Sequence, residues 1–213
     1  MPLQNRVTPF GELVAVESRG TIMGNRGVIH DGARRIVRRW ANPHWITCLL
    51  EYKDHHRVVM TPGRWTELFF LDEPTALAAG HRPCFFCRHG EAVRFAEAWA
   101  AGRGRAGERP RVAEMDAVLH EERIARPGGG KRIHPLPAGA LPDGAMVGTA
   151  GGEAWLAWGE RLWRWSFEGY GGAPPAANSG LVLLTPPSTV AALAAGYRPQ
   201  PPAGMPGDGR DRQ

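Results

Sequence analysis

The sequence predicts an α+β protein, in which a small antiparallel sheet stapled by a metal is followed by a second strand-helix unit. Three observations carry this expectation. Short β-favouring runs fill residues 1–71, apolar residues take up helical spacing after them, and strands return beyond residue 145. With 213 residues, 43% hydrophobic and 22% charged, the chain suits one domain with a sizeable core or two small ones.

Glu12–Glu17 alternates as a strand, Met23–Gly27 reads as a tight turn, and Trp45–Tyr52 is a strand rich in β-favouring residues with Cys48 inside it. Val58–Met60, a Pro62-Gly63 turn and Trp65–Leu71 complete the first sheet. Asp72 can cap a helix over Pro74–Ala79, Gly80 ends it, and further helices are expected over Glu91–Ala101 and 112–125, closed by Gly128–Gly130. Strands follow at Ala145–Thr149, Glu153–Trp158 and Leu162–Phe167, the last two joined as a hairpin through Gly159-Glu160-Arg161. A strand at Leu181–Leu184 and a helix at Thr189–Ala195 close the folded part. These spans predict a unit over 1–105, a second over 106–200 and a disordered tail over 201–213. Ala76-Leu-Ala-Ala-Gly-His-Arg-Pro-Cys84 and Ala192-Leu-Ala-Ala-Gly-Tyr-Arg-Pro-Gln200 match at seven of nine positions. Each follows an apolar strand, so the second reads as a strand-helix corner that keeps the turn and drops the metal.

The 26 Lys and Arg exceed the 21 Asp and Glu, and nearly all the excess is Arg. Guanidinium forks match phosphate oxygens, so an anionic partner is expected, although arginine-rich codon usage raises the same count. Three cysteines cannot pair off, no basic-then-apolar leader opens the chain, and no apolar run is long enough for a bilayer. A cytoplasmic protein with reduced thiols and no membrane association follows as the expectation. Nothing in the sequence points to a protein partner.

The segment Glu67–Arg88, ELFFLDEPTALAAGHRPCFFCR, is the one stretch that reads as a specific device. Its Cys84-Phe-Phe-Cys87 knuckle lets two thiolates close on one ion without straining the backbone. The order strand, Ala-rich helix, Gly, Arg-Pro-Cys-x-x-Cys resembles the zinc module of the Ada DNA-repair family over about a tenth of the chain. The resemblance implies zinc as cofactor and DNA as partner. Cys48 is the natural third ligand, and Tyr52 stands where the family's first pair has its second cysteine. The fourth ligand falls to a histidine, a carboxylate or water: His30 is placed first, ahead of His44, with His55 and His56 in a turn. In the family a first-pair cysteine accepts a methyl group from alkylated phosphate, a role only Cys48 can fill here.

Away from the knuckle, Asp116, His120 and Arg123 fall on one helical arc at i, i+4 and i+7. Asp116 and His120 are the candidate general-base pair, with Arg123 and the neighbouring Lys131 and Arg132 holding phosphate; a solvated helix face is the plainer account. Arg34, Arg35, Arg38 and Arg39 have the spacing of a phosphate clamp, and Arg82 leads into the knuckle. Trp155, Trp158, Trp163 and Trp165 cluster on one hairpin, where they either pack a core or offer surfaces for base stacking. By resemblance, the expected function is DNA binding in a repair or defence setting, with glycosylase-type hydrolysis of a modified nucleotide as the candidate chemistry. A non-enzymatic zinc-dependent DNA-binding regulator and a methyl acceptor are the alternatives.

Overall fold

In the computed structural model, which describes residues 1–53, 58–126, 129–176 and 179–205, the strands sort into two sheets. The first contains β1 (Arg6–Val7), β2 (Leu13–Val14), β3 (Ile22–Asn25), β4 (Ile46–Cys48), β5 (Leu68–Phe70) and β6 (Arg82–Pro83), in the order β2-β1-β5-β3-β4-β6. Pairs β1–β5 and β4–β6 are parallel, so this sheet is mixed rather than purely antiparallel. The second is antiparallel: β7 (Met146–Gly148), β8 (Ala154–Trp158), β9 (Arg161–Ser166), β10 (Gly169–Gly171) and β11 (Val182–Leu183), ordered β10-β9-β8-β7-β11. Four helices complete the fold: α1 (Glu73–Ala78), α2 (His89–Ala101), α3 (Val112–Arg123) and α4 (Pro187–Ala194). The α+β class is therefore the observed one.

Local chemistry accounts for most boundaries. Asp72 accepts a hydrogen bond from Thr75 N at 2.9 Å and Pro74 sits in the first turn, which starts α1. Gly159 and Glu160 both have left-handed φ angles, 57° and 59°, between the paired residues Trp158 and Arg161, which makes a two-residue turn that suits the twist of β8 and β9. Met23 to Asn25 is strand rather than turn, and the chain turns at Arg26-Gly27 instead. Residues 34–40 form a loop rather than a helix. Asp31 Oδ1 accepts from Ala33 N and Arg35 N, a local turn that competes with helix, and His30 bridges to Ile36 as the loop folds back.

Strand alternation divides the first sheet between two environments. Leu68 and Phe70 join Val7, Ile22, Ala76 and Ala79 beneath α1, whereas Phe69 turns to the other face with Met23, Trp65 and the three cysteines. The second sheet is covered on one face by α2, α3 and α4, through Phe95, Trp99, Met115, Val190 and Leu193. Trp155 belongs to that core, while Trp158, Trp163 and Trp165 pack on the opposite face with Ala78 and Met205. Trp155 and Trp158 are thus buried packing residues, while Trp163 and Trp165 are half-buried. Met205 also corrects the tail: it is buried at 3% exposure, so 201–205 belongs to the fold, and 206–213 lies outside the described residues.

The two similar nine-residue segments adopt the same corner. Gly80 and Gly196 have φ of +88° and +106°, Gly80 N and Gly196 N donate to Leu77 O and Leu193 O, and His81 N and Tyr197 N donate to Ala76 O and Ala192 O. That is one helix-terminating motif used twice. The two copies also meet, since Glu73 at the start of α1 accepts from Tyr197 Oη at 2.6 Å and from Gln200 N at 2.9 Å. Substitution separates their roles. A Cβ at Gly80 would sit 2.7 Å from Arg123 Cδ, whereas one at Gly196 meets nothing within 4 Å. Gly196→Ala is expected to lose only the left-handed penalty of about 1–2 kcal/mol, and Gly80→Ala clearly more, as read from paired denaturant titrations.

Candidate metal centre and the basic groups around it

The register of the first sheet brings the cysteines together. Cys48 ends β4, and the parallel pairing of β6 places Cys84 N 3.0 Å from Thr47 O, so the knuckle begins beside Cys48. Phe86 N donates to Cys84 Sγ at 3.3 Å, a backbone bond of the kind that holds a thiolate in a tight turn. Arg88 locks the arrangement from behind by donating to Thr47 Oγ1 at 2.8 Å and pairing with Glu73 at 2.9 Å. The three sulfurs lie within 4.8 Å of one another. On a tetrahedral ion with bonds of about 2.3 Å, sulfurs would stand about 3.8 Å apart, so the donor set fits a metal with only a small contraction. Hydrogen bonds from Cys48 and then Cys87 draw Cys84 toward thiolate, while the bond to Cys84 raises the pKa of Cys48. A divalent cation relieves the same crowding by replacing the shared protons.

Among the described residues no histidine or carboxylate joins this group. His30 is held elsewhere: Nδ1 is 2.6 Å from Thr66 Oγ1 and Nε2 is 3.2 Å from Thr61 O, so neither ring nitrogen is available. His44 has Nδ1 2.7 Å from Asp116 Oδ2 and does not join the sulfur group. His55 and His56 lie outside the described residues. The cysteines instead line a cavity of about 800 Å3 with Met23, Tyr52, Trp65 and Phe86, and with Arg38 and Arg64. Phe86 is 68% exposed and meets Tyr52 edge-on at 5.2 Å. A metal held by the three thiolates therefore has room to keep a fourth, exchangeable position.

No protein-family model, curated protein or solved structure matches this chain. The centre is accordingly understood from its geometry.

That geometry corrects the expected Asp116–His120 pair. Asp116 is 1% exposed, its carboxylate receives Arg82 Nε at 2.7 Å and Nη2 at 2.8 Å, and Oδ2 also meets His44. Both oxygens are occupied and shielded from water, so Asp116 orients and neutralises its partners. His120 lies against the Trp40 ring and Arg123, and its pKa is lowered by burial and then by Arg123.

The basic residues split into two populations. Arg34, Arg35, Arg38, Arg39 and Arg132 are exposed, with Arg35 paired to Asp31 at 2.7 Å and Arg132 donating to Glu121 O. Arg82 and Arg123 are interior, so neither is a phosphate contact. Arg123 donates to Gly80 O at 2.7 Å and to Pro43 O, and Lys131 donates to Ala78 O. Both cations thus sit at the carbonyl end of α1, where the peptide dipoles favour positive charge. Arg26 and Arg123 each place a guanidinium carbon about 4.1–4.2 Å from the centroid of the buried Trp45 ring. From the sequence Trp45 was legible only as the first residue of a strand and Arg26 only as part of the Met23–Gly27 turn.

Proposed function

We propose that this chain is a zinc protein that binds nucleic acid, with DNA carrying a damaged or modified nucleotide as its substrate class. The observation that carries the reading is that the three-sulfur group opens on the same cavity as Arg38, Arg64 and the exposed ring of Phe86. Thiolates select zinc among the common divalent ions. Two exposed guanidinium groups attract a phosphate backbone, and an exposed aromatic beside Tyr52 offers a face for a base that has left its stack. Arg34 and Arg39, on the same loop as Arg38, extend the positive surface. The Ada-like order of Gly80-His-Arg-Pro-Cys-x-x-Cys87 supports the same assignment. No helix among the described residues is long and apolar enough to cross a membrane, and a cytoplasmic site of action suits three reduced thiols.

A second reading draws on the open fourth position. A zinc-bound thiolate is a nucleophile that can take a methyl group from an alkylated phosphate oxygen, leaving a phosphodiester that keeps the electron pair of the broken bond. Cys48 would be the acceptor by resemblance. It predicts one turnover per protein and a mass gain of one methyl group on that residue, whereas hydrolysis predicts abasic sites or nicks with repeated turnover.

The test joins metal analysis to fluorescence anisotropy on single-stranded and duplex oligonucleotides across a salt series. Bound zinc at one equivalent and a negative slope of log affinity against log salt are the expected results. Arg38→Ala/Arg64→Ala should shallow that slope by about two, one for each lost phosphate contact. An unchanged slope would remove the cavity rim from the interface, and absence of metal would remove the centre itself.

A further inference from the structure

On the side of the molecule built by Phe10 and Trp165, a second cavity of about 390 Å3 is lined by Arg39, Lys131 and Thr149 as well as those two rings. We infer that this cavity is a nucleotide site, in which Arg39 and Lys131 take a phosphate group and Phe10 and Trp165 flank the planar base. It is separate from the cysteine cavity, and no cysteine lines it.

The first argument is a local excess of positive charge at the carbonyl end of α1, although the buried arginines Arg26, Arg82, Arg88 and Arg123 are matched in number by the buried acids Glu67, Asp72, Glu73 and Asp116. Arg26, Arg82, Arg123 and Lys131 gather around α1 and Trp45, yet Asp116 is engaged by Arg82 and His44. Arg26 is 2% exposed, and the charge that acts on it is another cation, Arg39. An arginine does not escape burial by losing its proton, and the neighbours that hold Arg26, the Gly11 carbonyl, His81 Nε2 and the Trp45 ring, are all uncharged acceptors. Lys131 and His81 can give up their protons, and both are pushed that way: burial, then Arg26 and Arg123, lower Lys131 to about 7, and the same three influences hold His81 well below its usual value.

Unused hydrogen-bonding atoms supply the second argument. Arg26 Nη2, Arg123 Nε, His81 Nδ1 and Thr149 Oγ1 are all buried without a partner, although buried polar atoms are nearly always satisfied. Thr149 lines the cavity, with its Oγ1 itself turned out of contact with solvent. Arg26 stands just behind the wall: its Nη1 donates to Gly11 O at 2.9 Å, and a Cβ on Gly11 would lie 3.5 Å from Nη2. Gly11 joins two wall residues, Phe10 and Glu12. Lys131 spends one of three ammonium protons on Ala78 O, which leaves two for a ligand. Glu12 is the opposing charge on this wall; it is exposed, where water and salt screen it.

The third argument concerns the rest of the ligand. Phe10 and Trp165 are half-buried, Trp165 is fixed by a 3.0 Å bond from Nε1 to Thr75 Oγ1, and the volume is in the range of small-molecule sites. Two half-buried rings beside two cations match a flat heterocycle bearing a phosphate better than a bare anion.

Isothermal titration of the full chain with a nucleoside monophosphate, the matching nucleoside and inorganic phosphate tests the assignment. The monophosphate should bind at least tenfold more tightly than either fragment. Lys131→Met should weaken it by at least tenfold, and Arg39→Ala, at an exposed position, by several-fold at unchanged melting temperature. A 5′-phosphorylated oligonucleotide that competes with the monophosphate would make a strand end the source of the ligand, and failure to compete would make it the free nucleotide. Arg38→Ala/Arg64→Ala should leave monophosphate binding intact, which separates this site from the metal cavity. Equal affinity for nucleoside and monophosphate, or indifference to both single substitutions, overturns the inference.

Discussion

Replacing Asp116 by alanine is expected to lower stability by about 3–5 kcal/mol, because it leaves the charge of a buried partner uncompensated. In a chain of this length that corresponds to roughly 10 °C of melting temperature. Arg82 is 3% exposed and both of its bonds to Asp116 are within 2.8 Å, so no water replaces the lost acceptor. His44 contributes little to the loss, since its side chain is 58% exposed and can be hydrated. Asp116→Asn keeps one acceptor for Arg82 and should fall between alanine and the parent. Removing both partners, as in Arg82→Met/Asp116→Leu, should recover much of the stability, because the desolvation of two charges disappears along with their attraction. Thermal melts of the three variants measure this order. DNA binding by Asp116→Asn below its own melting point should persist. A folded Asp116→Asn of parental stability that had lost a product-forming activity would instead restore Asp116 as a general base.

The same residue marks where sequence reading stopped. Helix α3 was legible from the apolar spacing of Met115 and Leu119, and α2 from Phe95, Ala96 and Trp99, because a helix face is a local pattern. The Gly80 helix ending and the β8–β9 turn were legible for the same reason. The Cys84–Cys87 knuckle also depends only on near neighbours, and Cys48 joined it as the one remaining thiol. The partners of Asp116 are 34 and 72 residues away in sequence, and only the sheet order brings them to it. Arg82 and Arg123 read as phosphate ligands because arginine is usually exposed; here carbonyls, a carboxylate and the Trp45 ring make the interior hospitable to them. Strand β6 was invisible because Pro83 has no N–H. It pairs only along β4, at the sheet edge, through Arg82 N to Trp45 O and Cys84 N to Thr47 O. That two-residue strand nevertheless fixes the distance from Cys84 to Cys48.

Removal of the metal is expected to produce an effect of similar size by a different route. At a free-ion concentration a thousandfold above the dissociation constant, binding stabilises the native state by about 4 kcal/mol, and a chelator withdraws that amount. The loss should be local at first, because Met23, Ile46, Trp65 and Phe69 pack around the sulfurs as a small cluster separate from the cores beneath α1 and α2. Hydrogen exchange should therefore rise in β4 and in the Cys84–Arg88 turn before it rises in β8 or α2. Cys84→Ser is the sharper variant, since it replaces a soft thiolate ligand by a neutral hydroxyl that can still accept from the Phe86 N–H. It should reduce bound metal from one equivalent to near none and abolish any further effect of chelator on the melting curve. Substitution of the parent with cobalt(II) would report the donor set, because sulfur-to-metal charge-transfer intensity scales with the number of thiolates and an added ligand at an open fourth position would perturb the visible bands. A parent melting curve indifferent to chelator, with Cys84→Ser only slightly less stable, would make the three cysteines ordinary packing residues.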